Sequence, residues 1–429
     1  MKLIFLIDRN NDYNYLSNLI EYAIKKKHEV TCLHNYGFNK NTNKYYLYPY
    51  VEKSPFYKKI KIIKLDFETK LIDTICKSDF DQIFCKTFPI KNLNNKYLDK
   101  INNKINIIMD SIDIYDVIEK IKNFQHCKIR VFCWSKFFKK RIIEYLKEYS
   151  FGSYKLIQNK NCKIYITGHC YKVYNNNLEI KTNIRKNLNI PIKKKIILYI
   201  PYAYDENNVA SFKKKIWKFL FCGLGINHYV EIKNPILNNF FNFIKKIYYI
   251  VKIIFFYPKK LFFFRIKNEN YIINQIKNFC EKNNYYFIVK GREKFPMLNN
   301  LYKTADKIYS DKQNYHFPSL LDKLLQISDL CISYSSNVNF LAILYNVRVI
   351  NIKTHKDDWL NSKHFKYWGY NNIYFQNYKK VLTSLNSDGF KICINSKSLK
   401  EFSEYRKKFI GVNNFNEQVF KIIKKNRYD

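Results

Sequence analysis

Short apolar runs rich in β-branched and aromatic residues alternate with amphipathic helical stretches along most of this chain, and that alternation limits its fold more than any other feature. Residues 2–7, Lys-Leu-Ile-Phe-Leu-Ile, read as a first strand. Residues 13–27 then place Tyr15, Leu16, Leu19, Ile20 and Ile24 at helical spacing ahead of Lys25, Lys26 and Lys27. A second strand follows over 28–33, with further strand candidates at 60–65, 82–86, 105–109, 130–133 and 163–166. Strands separated by helices pair in parallel, since the helix is the crossover that returns the chain to the same end of the sheet. The pattern restarts after Pro191, with strands at 195–200, 286–289, 330–333 and 347–352 and helices near 268–283, 319–327 and 337–345. The expectation is an α/β chain of two Rossmann-like domains, 1–185 and 186–400, facing each other across a cleft, followed by a helical segment at 401–429.

Length agrees with that division, because 429 residues exceed one core and suit two domains of about 200 residues each. The 76 Lys and Arg outnumber the 35 Asp and Glu, for a formal charge of +41, which at first sight suggests a polyanionic partner. An apolar fraction of 47% excludes a disordered polycation, and nine glycines with nine prolines exclude collagen-like or low-complexity architecture. The eleven cysteines contain no C-x-x-C pair, so neither a zinc ribbon nor a disulfide framework is expected, and a reducing cytoplasm is the natural setting. The opening apolar run stops at Asp8 after five residues, too short for a secretion signal. No uncharged window reaches the roughly 18 residues of a spanning helix.

Charge is concentrated in residues 211–267, a segment a compact strand-to-helix connection does not need. It holds twelve Lys and Arg against one acid, Glu231, a net +11. Read as a helix, residues 240–256 put Asn242, Lys245, Lys246 and Lys252 within an arc of roughly 120°, the remaining circumference being apolar, Phe255 included. A second apolar and basic cluster, containing Phe263, follows at 261–265. Such an amphipathic insertion is expected to lie at an anionic membrane surface; the alternative is a helix packed on the domain with its lysines in solvent.

Residues 320–338 end a helix at Ser328 and Asp329, run through a short strand, and turn at Tyr334-Ser335-Ser336-Asn337 into the next helix. The hydroxyls there cap that helix or hold a diphosphate at the carboxyl end of a strand, where open α/β sheets bind ligands. The run from Leu324 to Ile350 resembles the nucleotide-binding part of CDP-glycerol glycerophosphotransferase-like proteins and related two-domain (GT-B-type) surface-polysaccharide glycosyltransferases. Residues 163–169 with 189–201, and 409–411 with the helix after Phe415, follow in the same order as that group's interdomain and closing segments. The resemblance implies a GT-B fold with an acceptor-side first domain, a nucleotide-donor second domain, and a C-terminal segment packing back toward the first domain. Two family histidines are absent: Lys290-Gly291-Arg292-Glu293-Lys294 stands where an Arg-Pro-His-Pro turn is expected, and Cys85-Lys86-Thr87 where a His-Gly-Thr turn is expected.

A sugar transfer must stabilise the departing diphosphate and remove the acceptor's proton. The donor-side candidates are Lys290, Arg292, Glu293, His316, Ser335, Ser336 and Asn337. The candidate bases are Asp12, in the first strand-to-helix turn, and Asp110 and Asp113, in the loop after the strand ending at Met109. Asp12 equally suits a cap on the helix from Tyr13, and His169 suits either the cleft or a hinge contact. Asp322 and Asp329 read as capping or solvated residues. No metal-ligand spacing is present, and no cofactor is expected beyond a nucleotide-activated sugar as substrate. The expected activity is glycosyl transfer to a lipid-linked or cell-surface glycan during polysaccharide biosynthesis, by a cytoplasmic protein peripheral at the inner face of the cell membrane. Polyol-phosphate transfer, a nucleotide-sugar epimerase on the same fold, and a non-catalytic homologue remain alternatives. A nucleic-acid partner is not expected, because the basic residues are interleaved with core-type aliphatics and no binding motif accompanies them.

Overall fold

The computed structural model describes residues 1–8, 12–36, 38–39, 44–45, 51, 54–67, 69–86, 88, 99–109, 127–149, 161–174, 177–201, 259–291, 299–309, 319–334, 338–353, 375–377 and 414–425. Its first half contains β1 (Lys2–Ile7), α1 (Asp12–Lys25), β2 (Glu29–Asn35), the two-residue strands β3 (Phe38–Asn39) and β4 (Lys44–Tyr45), β5 (Lys61–Leu65), α2 (Leu71–Lys77), β6 (Gln82–Cys85), β7 (Ile105–Ile108), β8 (Ile129–Cys133), α3 (Lys136–Tyr149) and β9 (Cys162–Ile166). Then come α4 (Leu178–Asn187), β10 (Lys195–Ile200), α5 (Lys259–Asn283), β11 (Tyr285–Lys290), α6 (Asn299–Thr304), β12 (Lys307–Tyr309), α7 (Leu320–Ile327), β13 (Leu330–Tyr334), α8 (Val338–Leu344), β14 (Arg348–Lys353), β15 (Phe375–Asn377) and α9 (Phe415–Lys425).

Two parallel sheets result. The first has seven strands in the order β5-β2-β1-β6-β7-β8-β9, the second six in the order β12-β11-β10-β13-β14-β15. Both start at a central strand, build outward on one side and then cross to the other. The crossing leaves a crevice beside β1 in the first sheet and β10 in the second, at the carboxyl ends of the strands. The inner strands are mostly apolar because helices cover both their faces: β7 and β8 are buried at every position, Phe5 stacks on Phe84 at 5.0 Å, and only Lys2 of β1 is exposed. The edge strand β5 instead carries the exposed Lys61 and Lys64. One buried polar ladder interrupts the apolar interior. Arg130 of β8 donates to Asn103 O at 2.8 Å, Asn103 Oδ1 at 2.7 Å and Gln82 Oε1 at 3.2 Å, near the amino ends of β6 to β8.

In the second sheet the side chains sort by parity, as a strand's two-residue period requires. Ile197, Tyr199, Phe287, Val289 and Ile332 face Ile272, Ile273 and Ile276 of α5, whereas Ile196, Leu198, Ile288 and Cys331 join an apolar cluster continuous with that of the first sheet. Helix α9 returns to the first sheet, where Phe420 lies 5.2 Å from the Tyr22 ring and stacks on His28 at 5.3 Å, and Asn416 donates to Asn18 Oδ1 at 2.9 Å.

Scarcity of glycine shows at the helix ends. Lys27, Asn189 and Asn346 take the left-handed conformation, with φ of 58°, 52° and 58°, after α1, α4 and α8. In each case the next amide reaches back five residues, as His28 N–H does to Ala23 O at 3.0 Å. Asparagine tolerates this conformation better than other residues with a Cβ, so it replaces the usual glycine.

Residues 259–267, the end of the basic segment, form the first turns of the 25-residue helix α5 and carry the backbone of Phe263. The proposed amphipathic stretch 240–256, with Lys245, Lys246, Lys252 and Phe255, lies outside the described residues. Among the described residues no helix is long and apolar enough to cross a membrane.

Candidate functional site

The carboxyl end of β1 is tied to its neighbours by side-chain bonds. Asp8 follows β1 and accepts a hydrogen bond from Asn35 Nδ2 at 2.6 Å, while Asn35 Oδ1 accepts the Phe67 N–H at 3.3 Å. Asp12 opens α1, is buried, and its Oδ2 accepts the Asp8 N–H at 2.8 Å. Its carboxylate therefore closes the strand-to-helix turn across four residues, a bonding role, whichever other role it also has. Tyr13 and His34, both buried, pair at 2.6 Å between Oη and Nε2. Burial, aided by the charge of Lys64, pushes the His34 imidazole down to about 3, so it is neutral in this pair. Lys86, just past β6, sits 4.8 Å over the Tyr15 ring.

Farther along this edge, Trp134 follows β8 and donates its indole N–H to Met109 O at 3.0 Å. Gly168, at φ 87°, turns the chain after β9, and His169 then bonds through Nδ1 to Tyr171 O at 3.1 Å, with its ring 6.4 Å from Trp134. His169 is buried in this connection, in contact with the segment that leads to the second sheet. Tyr171 packs edge-on to Tyr15 at 5.1 Å and to Trp134 at 5.5 Å, and Lys172 bonds to Glu21 at 2.6 Å.

On the second sheet, Lys290 ends β11 almost fully buried and donates to Gly291 O at 2.9 Å, while the Gly291 N–H bonds to Tyr309 O at 2.8 Å. A buried ammonium at the carboxyl end of a strand is costly unless oxygen ligands surround it, so its placement constrains the local chemistry. Ser333, the penultimate residue of β13, donates to Asn339 Oδ1 at the start of α8. That bond ties the end of β13 to the start of α8. Asp329 is a brace: its Oδ2 accepts the Ile196 N–H at 2.8 Å and lies 4.0 Å from Arg185. Asp322, read in the sequence as capping or solvated, accepts the Tyr345 hydroxyl at 3.0 Å, and burial raises its carboxyl to about 6. The two edges meet where Trp134, after β8, lies 6.3 Å from Phe340 of α8.

Of the residues singled out in the sequence, Asp12 and Lys290 thus stand at the carboxyl ends of the first and second sheets. Asp110, Asp113, Arg292, Glu293, His316, Ser335, Ser336 and Asn337 lie outside the described residues. The Asn35–Asp8 contact, the Tyr13–His34 pair and the Ser333–Asn339 bond escaped the sequence reading. Polar residues in the last positions of buried strands were their one signal. Among the described residues no group of three His, Cys, Asp or Glu side chains stands close enough to hold a metal ion.

No protein-family model matches the chain, and no curated protein matches it either. Solved structures do. The H548A form of the wall teichoic acid polymerase TagF aligns over 99% of this chain and 89% of its own, with a TM-score of 0.51 at 12% identity. An Arabidopsis thaliana glycosyltransferase, UGT89C1, complexed with UDP-L-rhamnose, aligns over 99% and 98% with a TM-score of 0.51 at 8% identity. The same polymerase in a variant soaked with CDPG aligns with a TM-score of 0.50 at 12% identity. At such identities the likeness is one of fold, and it makes this chain a two-domain α/β protein with the GT-B glycosyltransferase fold.

Proposed function

We propose that this chain is a glycosyltransferase, moving a sugar from a nucleotide-activated donor to a lipid-linked or cell-surface glycan at the inner face of the cell membrane. One observation carries the reading: the carboxyl edges of the two sheets meet at Trp134 and Phe340, and at the carboxyl end of β11 the second sheet holds the buried ammonium of Lys290. Lys290 and the adjacent Arg292 neutralise the diphosphate as it departs, supplying the countercharge without a metal. Ser335, Ser336 and Asn337, between the Ser333 and Asn339 that bond to each other, add hydrogen bonds to the same group. The acceptor hydroxyl is deprotonated from the first domain, by Asp12 or by the loop of Asp110 and Asp113. Residues 240–256 bring the protein to the anionic membrane where such acceptors reside. Polyol-phosphate transfer is the second reading, favoured by the likeness to a teichoic acid polymerase.

Thermal-shift screening against UDP-, CDP-, GDP- and CMP-linked sugars tests the donor assignment. One nucleotide class should stabilise the protein, and Arg292→Ala should weaken that binding roughly 10- to 100-fold, the worth of one charge-assisted hydrogen bond. Stabilisation by none of them would remove the transferase reading.

A further inference from the structure

Helix α3 carries a second basic surface that the transfer reading does not use. A groove of about 390 Å³ runs between α3 and the end of β9, with Lys136, Lys139, Lys140 and Lys147 around it and Ile143 and Ile166 as its apolar lining. At 100° per residue the four lysines span roughly 100° of the helix, with Ile143 inside the arc. The opposite side of α3 is fixed by Phe138 and Ile142, which are buried, Phe138 against Trp134 at 5.9 Å. One acid, Glu144, stands in the groove, 3.8 Å from Lys140. Ile166, at the carboxyl end of the edge strand β9, is 38% exposed among these cations.

We infer that this groove docks the protein on an anionic phospholipid surface, taking up the phosphate of a lipid head group. The inference rests on the membrane part of the reading above and moves it to residues of the first sheet. Charge complementarity carries it, since among the described lining residues four ammonium groups converge with one carboxylate among them. The aliphatic lining selects among anions. Nucleic acid strands are held by stacking bases on aromatic rings, and there are none among the described lining residues, whereas Ile143 and Ile166 between lysines match the apolar and charged layers just below and at a bilayer surface. The groove's place matters too, because α3 starts two residues after Trp134, so docking here keeps the carboxyl edges of the sheets beside the bilayer.

Vesicle flotation of the full chain tests it, using phosphatidylcholine with or without 30% phosphatidylglycerol. The wild type should float with the anionic vesicles only and be released at 500 mM salt. Each lysine near such a surface is worth about five-fold in affinity, so Lys136→Gln, Lys140→Gln and Lys147→Gln together should weaken binding on the order of 100-fold. The matched control Lys186→Gln, Lys193→Gln and Lys194→Gln, all exposed elsewhere, should retain it. Equal loss in both triple variants would overturn the inference, as would competition by millimolar inorganic phosphate, which would mark a free-anion site. Unchanged binding by the α3 variant with loss on deleting 240–256 would also overturn it and leave the membrane reading standing. No vesicle binding by the wild type would overturn both, while the nucleotide screen judges the donor assignment independently.

Discussion

His34 offers a sharp test of how the first strand-to-helix turn is built. In the folded chain its imidazole is pushed down to about 3, first by burial and then by Lys64; in the unfolded chain it takes up a proton near the ordinary 6.5. Between those values the unfolded state binds the extra proton, so stability is complete above pH 6.5 and falls as the pH drops toward 3. The slope is about 1.4 kcal/mol per pH unit, which makes the loss from this one group about 2 kcal/mol between pH 6.5 and 5. Urea unfolding followed by circular dichroism at pH 7.5 and pH 5, for wild type and His34→Gln, isolates the term, because the other histidines titrate alike in both proteins. The variant's amide can still bond the Tyr13 hydroxyl, as donor or acceptor, and does not titrate. It should start less stable at pH 7.5 and lose about 2 kcal/mol less than wild type on acidification. An identical loss in the two proteins would refute a buried, neutral His34.

Asp12 and Phe420 carry two further expectations. Asp12→Ala removes the acceptor of the Asp8 N–H and should cost about 1–3 kcal/mol in unfolding free energy. Donor-nucleotide affinity measured by calorimetry should be unchanged, and weakened affinity would contradict the separation of turn and donor site. Phe420→Ala empties the space between Tyr22, His28 and Phe84 and should cost about 3–5 kcal/mol, with α9 becoming sensitive to limited proteolysis. A variant as protease-resistant as wild type would show that α9 is held by something else.

Most of the sheet framework was legible because its strands are buried on both faces, which leaves unbroken apolar runs such as 3–7 and 196–200 that a helix-period pattern does not imitate. The edges were not. Strands β12 and β15 are three residues each, too short to display a period, and are ordered by pairing with β11 and β14. Helix α5 begins nine residues before the expected start at 268, since the basic residues 259–267 are compatible with a helix but give it no distinctive apolar stripe. At the candidate site the sequence located the right turns and left roles open. Asp12 as base and Asp12 as cap look the same in a sequence, and neither foretells the 2.8 Å bond by which its carboxylate holds the preceding Asp8 N–H. Arg130 is the opposite case: a cation in a strand suggests an edge or a solvent face, yet here it is buried because Gln82, Asn103 and Asn106, distant in sequence, converge on it.

The central claim, transfer from a nucleotide-activated donor, is tested most directly by nucleotide release. The purified chain is incubated with each donor of the UDP, CDP, GDP and CMP series, with and without membranes carrying lipid-linked acceptors, and free nucleotide is quantified. The account predicts release from one donor class, stimulated by the membranes and strongly reduced in Lys290→Gln. Release that is absent with every donor, or unaffected by that substitution, would contradict it.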